Sequence, residues 1–126
     1  MAFEPKDTVI YDELWDVVPV AAVVKGQAAV VQDVFGFYLV AAALGVEVCF
    51  AYIMRQVEAD KRVGTGEDIL AGDRLYYIPA EDVVTPTAGT TPGVNSYFCG
   101  IAKKDASAAE TKVLMNFNGT MYDQTI

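Results

Sequence analysis

Breaks come too often in this chain for it to build long elements. Glycine, proline or a polar pair interrupts the apolar sequence about every ten residues, which is the spacing of a sandwich or barrel. The runs between breaks (TVIY, LWDVV, VAAVV, AAVVQ, RLYYI, YFCGIA and TKVLMNF) are short and rich in Val, Ile, Tyr and Phe. Such residues suit a pleated, half-buried surface. Pro19 belongs at a strand end or edge because it cannot donate to a ladder. Lys25-Gly26-Gln27 reads as a turn, and Gly36 inside an apolar run reads as a bulge or a close backbone approach. Asn118-Gly119 is a strong turn signal. The pattern predicts an all-β fold, a small antiparallel β-barrel or sandwich of about eight to ten short strands.

Two stretches need arbitration. EVCFAYIMRQVEADK would be apolar nearly all round as a helix and has no N-cap after Gly45. As a strand it places Val46, Val48, Phe50, Tyr52 and Met54 on one face and Glu47, Cys49, Ala51, Ile53 and Arg55 on the other, and its β-branched and aromatic content favours that reading. GTGEDILAGD has acids near its start and Gly72 past its end, so it predicts one short helical turn. Residues 1–7 establish no apolar period and read as an extended N-terminal arm. Residues 8–119 form a single β domain, residues 85–96 an exposed loop within it, and residues 120–126 a C-terminal tail.

With 126 residues, the chain can bury one core without staples. It is 53% hydrophobic with mean hydropathy +0.27, which rules out a disordered polymer. The longest apolar candidate, residues 34–54, is broken by Gly36, Gly45 and Glu47, so no membrane helix is expected. The first residues are not expected to act as a secretory signal. Seventeen acids against nine bases give a formal charge of −8, which repels phosphate backbones and disfavours nucleic-acid binding. Cys49 and Cys99 sit in apolar surroundings as small hydrophobes, consistent with a reducing cytoplasm.

No catalytic constellation is legible. The chain has no histidine, so Ser–His or Cys–His nucleophiles and histidine-bearing zinc sites are excluded within it. The pairs Asp12/Glu13, Glu67/Asp68 and Glu81/Asp82 are adjacent in sequence and read as solvated turn acids, not as an acid/base couple. Gly64, Gly66 and Gly72 do not match a dinucleotide-binding loop. Phe35, Phe37, Tyr38, Tyr76 and Tyr77 read as core and rim. The reading is of a non-enzyme with no cofactor and no metal. A small-molecule-binding β-barrel is the alternative, and the runs Ala21-Ala22, Ala28-Ala29 and residues 41–43 are its only hint, as small residues that would leave an interior unfilled.

The order of features then resembles a known family. VVKGQAAVVQDVFGFYLVAAALGVEVCFAY is similar to the opening half of the small capsid cement (head decoration) proteins of tailed phages: a turn glycine before a valine strand, a second glycine-containing strand, and an alanine-rich turn into a long strand. ILAGDRLYYIPAEDVVT and YFCGIAKKDASAAETKVLMNFNG resemble the family's closing half. The likeness runs over residues 8–119. Phe37 stands where valine is usual and Glu110-Thr111 where Gly-Asp is usual.

The resemblance implies a structural virion protein made in the host cytoplasm. It would bind the outer face of the capsid across seams between major capsid subunits, as a homotrimer or a dimer, without touching nucleic acid or membrane. The contact residues it points to are Phe3 and Pro5 on the arm, Trp15, and Thr87, Pro92 and Asn95 on the long loop. Another virion component, such as a head-fibre base or tail part, is the related alternative.

Overall fold

The frequent breaks produce ten strands joined in one strongly curled antiparallel sheet, a half-barrel with no α-helix among the described residues. The computed structural model describes residues 2–7, 13–31, 34–87, 96–119 and 124–125. The strands are β1 (Phe3–Asp7), β2 (Glu13–Val17), β3 (Ala28–Val31), β4 (Val34–Tyr38), β5 (Val48–Asp60), β6 (Arg74–Ile78), β7 (Val83–Thr85), β8 (Ser96–Ala102), β9 (Lys112–Asn118) and β10 (Gln124–Thr125). The main path runs β3-β4-β5-β9-β8-β6-β7, with β1 and β2 on β5 and β10 on β8. The far strand curls back to the end of β5, where Lys61 bridges Val84 and the Arg62 N–H donates to the Val84 carbonyl at 2.9 Å. This is the small all-β, barrel-like body that the turn spacing predicts.

The ambiguous segment is β5, the spine of the sheet. Its first half pairs with β2 and β4, and its second half with β1 and β9. The register slips opposite Glu13/Leu14, between Met54 and Val57 against β9, and opposite Pro5/Asp7 on β1. A bulge inserts an extra residue and shifts the alternation. As a result Ala51, Met54 and Val57, spaced three apart, all enter one core together with Ala59.

That core fills the concave side. Phe3, Phe35, Phe37, Tyr77 and Phe117 meet there as a cluster of rings, with Phe3 within 5.0–6.1 Å of the other four centroids. A smaller cluster of Val23, Tyr38, Val48 and Phe50 lies apart, with Trp15 and Tyr52 packed against it. Between turns, the Lys61 ammonium is buried (3% exposed) and donates to the carbonyls of Arg62, Ser107 and Glu110 at 2.8–3.2 Å. These bonds tie the end of β5 to the turn before β9.

The two halves of the sheet repeat one hydrogen-bonded unit. In the first, Val23 and Ala42 exchange both backbone bonds, the Gly26 N–H donates to Tyr38 O, and the Tyr38 N–H donates to Gln27 O. In the second, Ile69 and Ala106 exchange both bonds, the Gly72 N–H donates to Ala102 O, and the Ala102 N–H donates to Asp73 O. The side-chain locks match too: Gln27 Oε1 accepts from the Val24 N–H at 3.1 Å, and Asp73 Oδ2 from the Leu70 N–H at 2.9 Å. Strand registers agree, with Ala28–Phe37 and Ala29–Gly36 answering Arg74–Ile101 and Leu75–Gly100. The units therefore equate β3 with β6, β4 with β8, and the start of β5 with β9.

Two expectations are corrected. Residues 64–73 hold no helical turn. Ile69 is drawn into its bridge with Ala106, and Gly72, at φ +94°, turns the chain directly into β6. Nor is the N-terminus a free arm: residues 3–7 are β1, paired with β5 from Phe3–Ala59 onward, because Phe3 (2% exposed) completes the ring cluster.

Candidate interaction surface

The half-barrel offers no interior void for a ligand where the rings meet, since Phe3, Phe35, Phe37 and Phe117 are all fully buried. The alanines that hinted at such a void lie elsewhere. Ala21, Ala22, Ala41 and Ala43 are exposed, and Ala28, Ala29 and Ala42 are half-buried.

Glu67, Glu81 and Asp82 are engaged in local structure, while Asp68 is exposed. Glu67 is buried and accepts from the Thr85 hydroxyl at 2.7 Å, so it is not a solvated turn acid. Glu81 pairs with Arg62. Asp82 accepts from the Tyr77 hydroxyl at 2.6 Å, and burial followed by this bond pushes the Tyr77 pKa up. Burial also raises the pKa of the fully buried Cys99 thiol, while Cys49 is half-exposed. Asp12 lies outside the described residues. Among the described residues no group of three or more Cys, Asp or Glu side chains is placed to hold a metal ion.

The proposed contact residues do not converge. Phe3 is at the centre of the core, which removes it as a contact on the outer face: its ring is already spent on four intramolecular neighbours. Pro5 is half-buried on β1 opposite Val57. Trp15 is half-buried with its ring 4.8 Å from that of Tyr52. Thr87 is exposed, and its N–H donates to Thr85 Oγ1 at 3.2 Å. Pro92 and Asn95 lie outside the described residues.

What the fold does assemble is a largely apolar face, almost free of charge, on the first repeated unit. Val18, Val20, Val24, Val30, Val40, Leu44 and Val46 are all exposed there, Val20 to 94% and Leu44 to 65%. The Gly45 N–H donates to Pro19 O at 3.1 Å, which sets the Leu44 turn beside the Val18–Val20 segment. A groove of about 370 Å³ then runs from that segment to β3, with Tyr38 in its lining. On the other side of β3 a second groove, of about 440 Å³, is lined by Phe35, Tyr77, Pro79 and Tyr97. Lys25 is the one charged residue among the described residues from 17 to 46.

The second unit shows what water-facing positions of this design look like. Lys103, Lys104 and Asp105 stand where the first unit has Leu39, Val40 and Ala41. Glu110 answers Val46, and Arg74 answers Ala28. At these positions one backbone carries charge in one half and aliphatic side chains in the other, while Leu70 is exposed like its counterpart Val24. Contiguous exposed apolar surface of this kind marks a contact site. The sequence signal for it was the near absence of charge across residues 17–46, which spans strands and turns alike.

Comparison with protein-family profiles, with curated proteins and with solved structures finds no match to this chain in any of the three.

Proposed function

We propose that this chain is a structural protein of an assembled shell, one that works by seating its largely apolar first-half face against neighbouring protein surfaces. The setting is the one the sequence resemblance points to: the outer face of a tailed-phage capsid, where the chain cements contacts between major capsid subunits. The observation that carries the reading is the contrast at equivalent positions of the two units, Val40, Ala41 and Val46 in one against Lys104, Asp105 and Glu110 in the other. Aliphatic side chains held at the surface by a rigid sheet gain nothing in water, and they gain roughly 25 cal/mol for each Å² covered by a partner. The excess of acids keeps the free protein soluble and off nucleic acid until the shell forms. Repetition over a symmetric lattice multiplies a modest contact into a large stabilisation.

The test is sedimentation of the purified chain with expanded, empty heads of the phage that encodes it. Co-migration with heads, reduced by Val20→Lys and Leu44→Lys, is the expected result. Mature particles that lack the polypeptide, or binding indifferent to both substitutions, would overturn it.

A further inference from the structure

Strand β3 ends the sheet. It pairs with β4, and among the described residues no strand pairs with its other side. The Tyr38 N–H donates to Gln27 O, and the pairs from Ala28–Phe37 to Val31–Val34 follow in unbroken register. Antiparallel alternation then turns the N–H and C=O of Ala28 and Val30 toward the open side. Natural sheet edges are blunted by lysine, proline, bulges or inward charge. The sequence Ala-Ala-Val-Val has none of these, and Val30 is 41% exposed.

The equivalent strand shows how this edge is meant to be finished. In the second unit the outer side of β6 is covered by β7, with Tyr76, Tyr77 and Ile78 opposite Thr85, Val84 and Val83. The chain supplies that cover by a long excursion between β6 and β8. In the first unit β3 passes to β4 through residues 32 and 33 alone, so no covering strand can come from that connection.

We propose that the open edge of β3 is closed by β3 of a second copy of this chain, antiparallel across a two-fold axis. Charge argues for a second copy. Two chains of net charge −8 repel over most of their surfaces and meet most easily where acids are scarcest, which is this face, where Lys25 is the one charged residue among the described residues from 17 to 46. Area argues the same way. The exposed valines and Leu44 present on the order of 600 Å², close to the ~800 Å² per partner of a standard interface. Geometry completes the case, because an antiparallel pair of identical strands is self-complementary about a two-fold axis. The grooves on either side of β3 then receive the partner's alternate side chains.

The test uses the purified chain alone, with no heads present, so dimerisation is read apart from head binding even though both draw on this face. Sedimentation equilibrium at micromolar concentration should give a dimer. Val30→Pro removes an outward N–H without touching the bonds to β4, so it should give a monomer with unchanged circular dichroism and Tm. Because a proline variant can fail to fold, Val20→Lys at the open rim is the second variant, and it should weaken the dimer while the fold stays intact. Amide exchange supplies a third readout. The Val30 amide should be protected at dimer-forming concentration and exchange rapidly on dilution, while Ala29 stays protected throughout. A wild-type monomer, a trimer, or a dimer in which Val30 protection does not change with concentration would overturn the proposal.

Discussion

Gly36 and Gly100 occupy the same place in the two halves of the sheet, and neither has room for a Cβ. One built on Gly36 would overlap the Ala51 carbonyl oxygen and the Phe50 ring; one built on Gly100 would overlap the Asn116 carbonyl and the Met115 methyl. Each glycine lets its strand lie flat against the next one. Gly36→Ala and Gly100→Ala should each cost roughly 3 kcal/mol or more, since backbone rather than a flexible side chain must yield. Gly66→Ala is the control. Its φ is +83° but open space surrounds it, so it should cost only about 1–2 kcal/mol. Urea midpoints of the three variants check the ranking, and equal losses at all three would refute the close-approach argument.

Phe3 is the second point of leverage. Removing its ring takes away one side of four aromatic contacts in a fully buried site. Phe3→Ala should therefore cost about 3–5 kcal/mol. Deletion of residues 1–7 should cost at least as much, because it also strips the edge of β5. Both are read as a fall in Tm, of more than about 10 °C for a domain of this size. A truncated chain that melts like the intact one would show the N-terminal strand to be an appendage after all.

Asp82 gives a finer test. It has φ +55°, a left-handed conformation that few side chains other than Asn and Asp accept readily, and it accepts the Tyr77 hydroxyl at 2.6 Å. Asp82→Asn keeps both the conformational tolerance and an acceptor, and should lose less than about 1 kcal/mol. Asp82→Ala loses both and should cost about 2–4 kcal/mol. Asp82→Gly relieves the backbone but not the hydroxyl, and should fall between them. Thermal melts of the three variants establish the order.

The places where sequence reading succeeded and failed have physical causes. TKVLMNF was legible because one face is buried and the alternation is clean, and RLYYI because its aromatic and aliphatic run is closed by Pro79. The spine β5 was ambiguous because its two bulges set Ala51, Met54 and Val57 three apart, a helix-like spacing produced by a strand. The helical turn predicted from GTGEDILAGD failed because the same acid and glycine signals serve a hairpin: Asp73 caps the Leu70 N–H and Gly72 takes the positive φ. VVKGQ and ILAGD share the pattern apolar-apolar-x-Gly-polar, which was the available clue to the duplication. The side chains around it had diverged, and the long excursion before β8 had broken any fixed period. The exposed apolar face is marked neither by aromatics nor by the long loop. Its signal was the near absence of charge over residues 17–46, where only Lys25 and Asp33 are charged, and burial of Phe3 by the fold could not be read from a terminus with no apolar period.

Alkaline pH should expose the cost of the buried thiol and phenol. Burial holds the Cys99 pKa above its ordinary value near 9, and burial with the Asp82 bond holds the Tyr77 pKa above its ordinary 10.0. Below those ordinary values both groups are protonated, folded or unfolded, and contribute nothing to a pH dependence. Above about pH 9 the unfolded chain releases the Cys99 proton while the folded chain retains it, so the unfolded state binds fewer protons and stability falls as pH rises. Each such group can contribute a slope of up to about 1.4 kcal/mol per pH unit. The fall should begin near pH 9 and steepen past 10 as Tyr77 joins. Cys99→Ala should flatten the limb between pH 9 and 10 while leaving the steeper one, and Tyr77→Phe should do the reverse. Urea midpoints measured from pH 7 to 11 on the three proteins separate the two groups. A wild-type midpoint that stays constant up to pH 10.5 would mean that Cys99 titrates as freely in the folded chain as in the unfolded one.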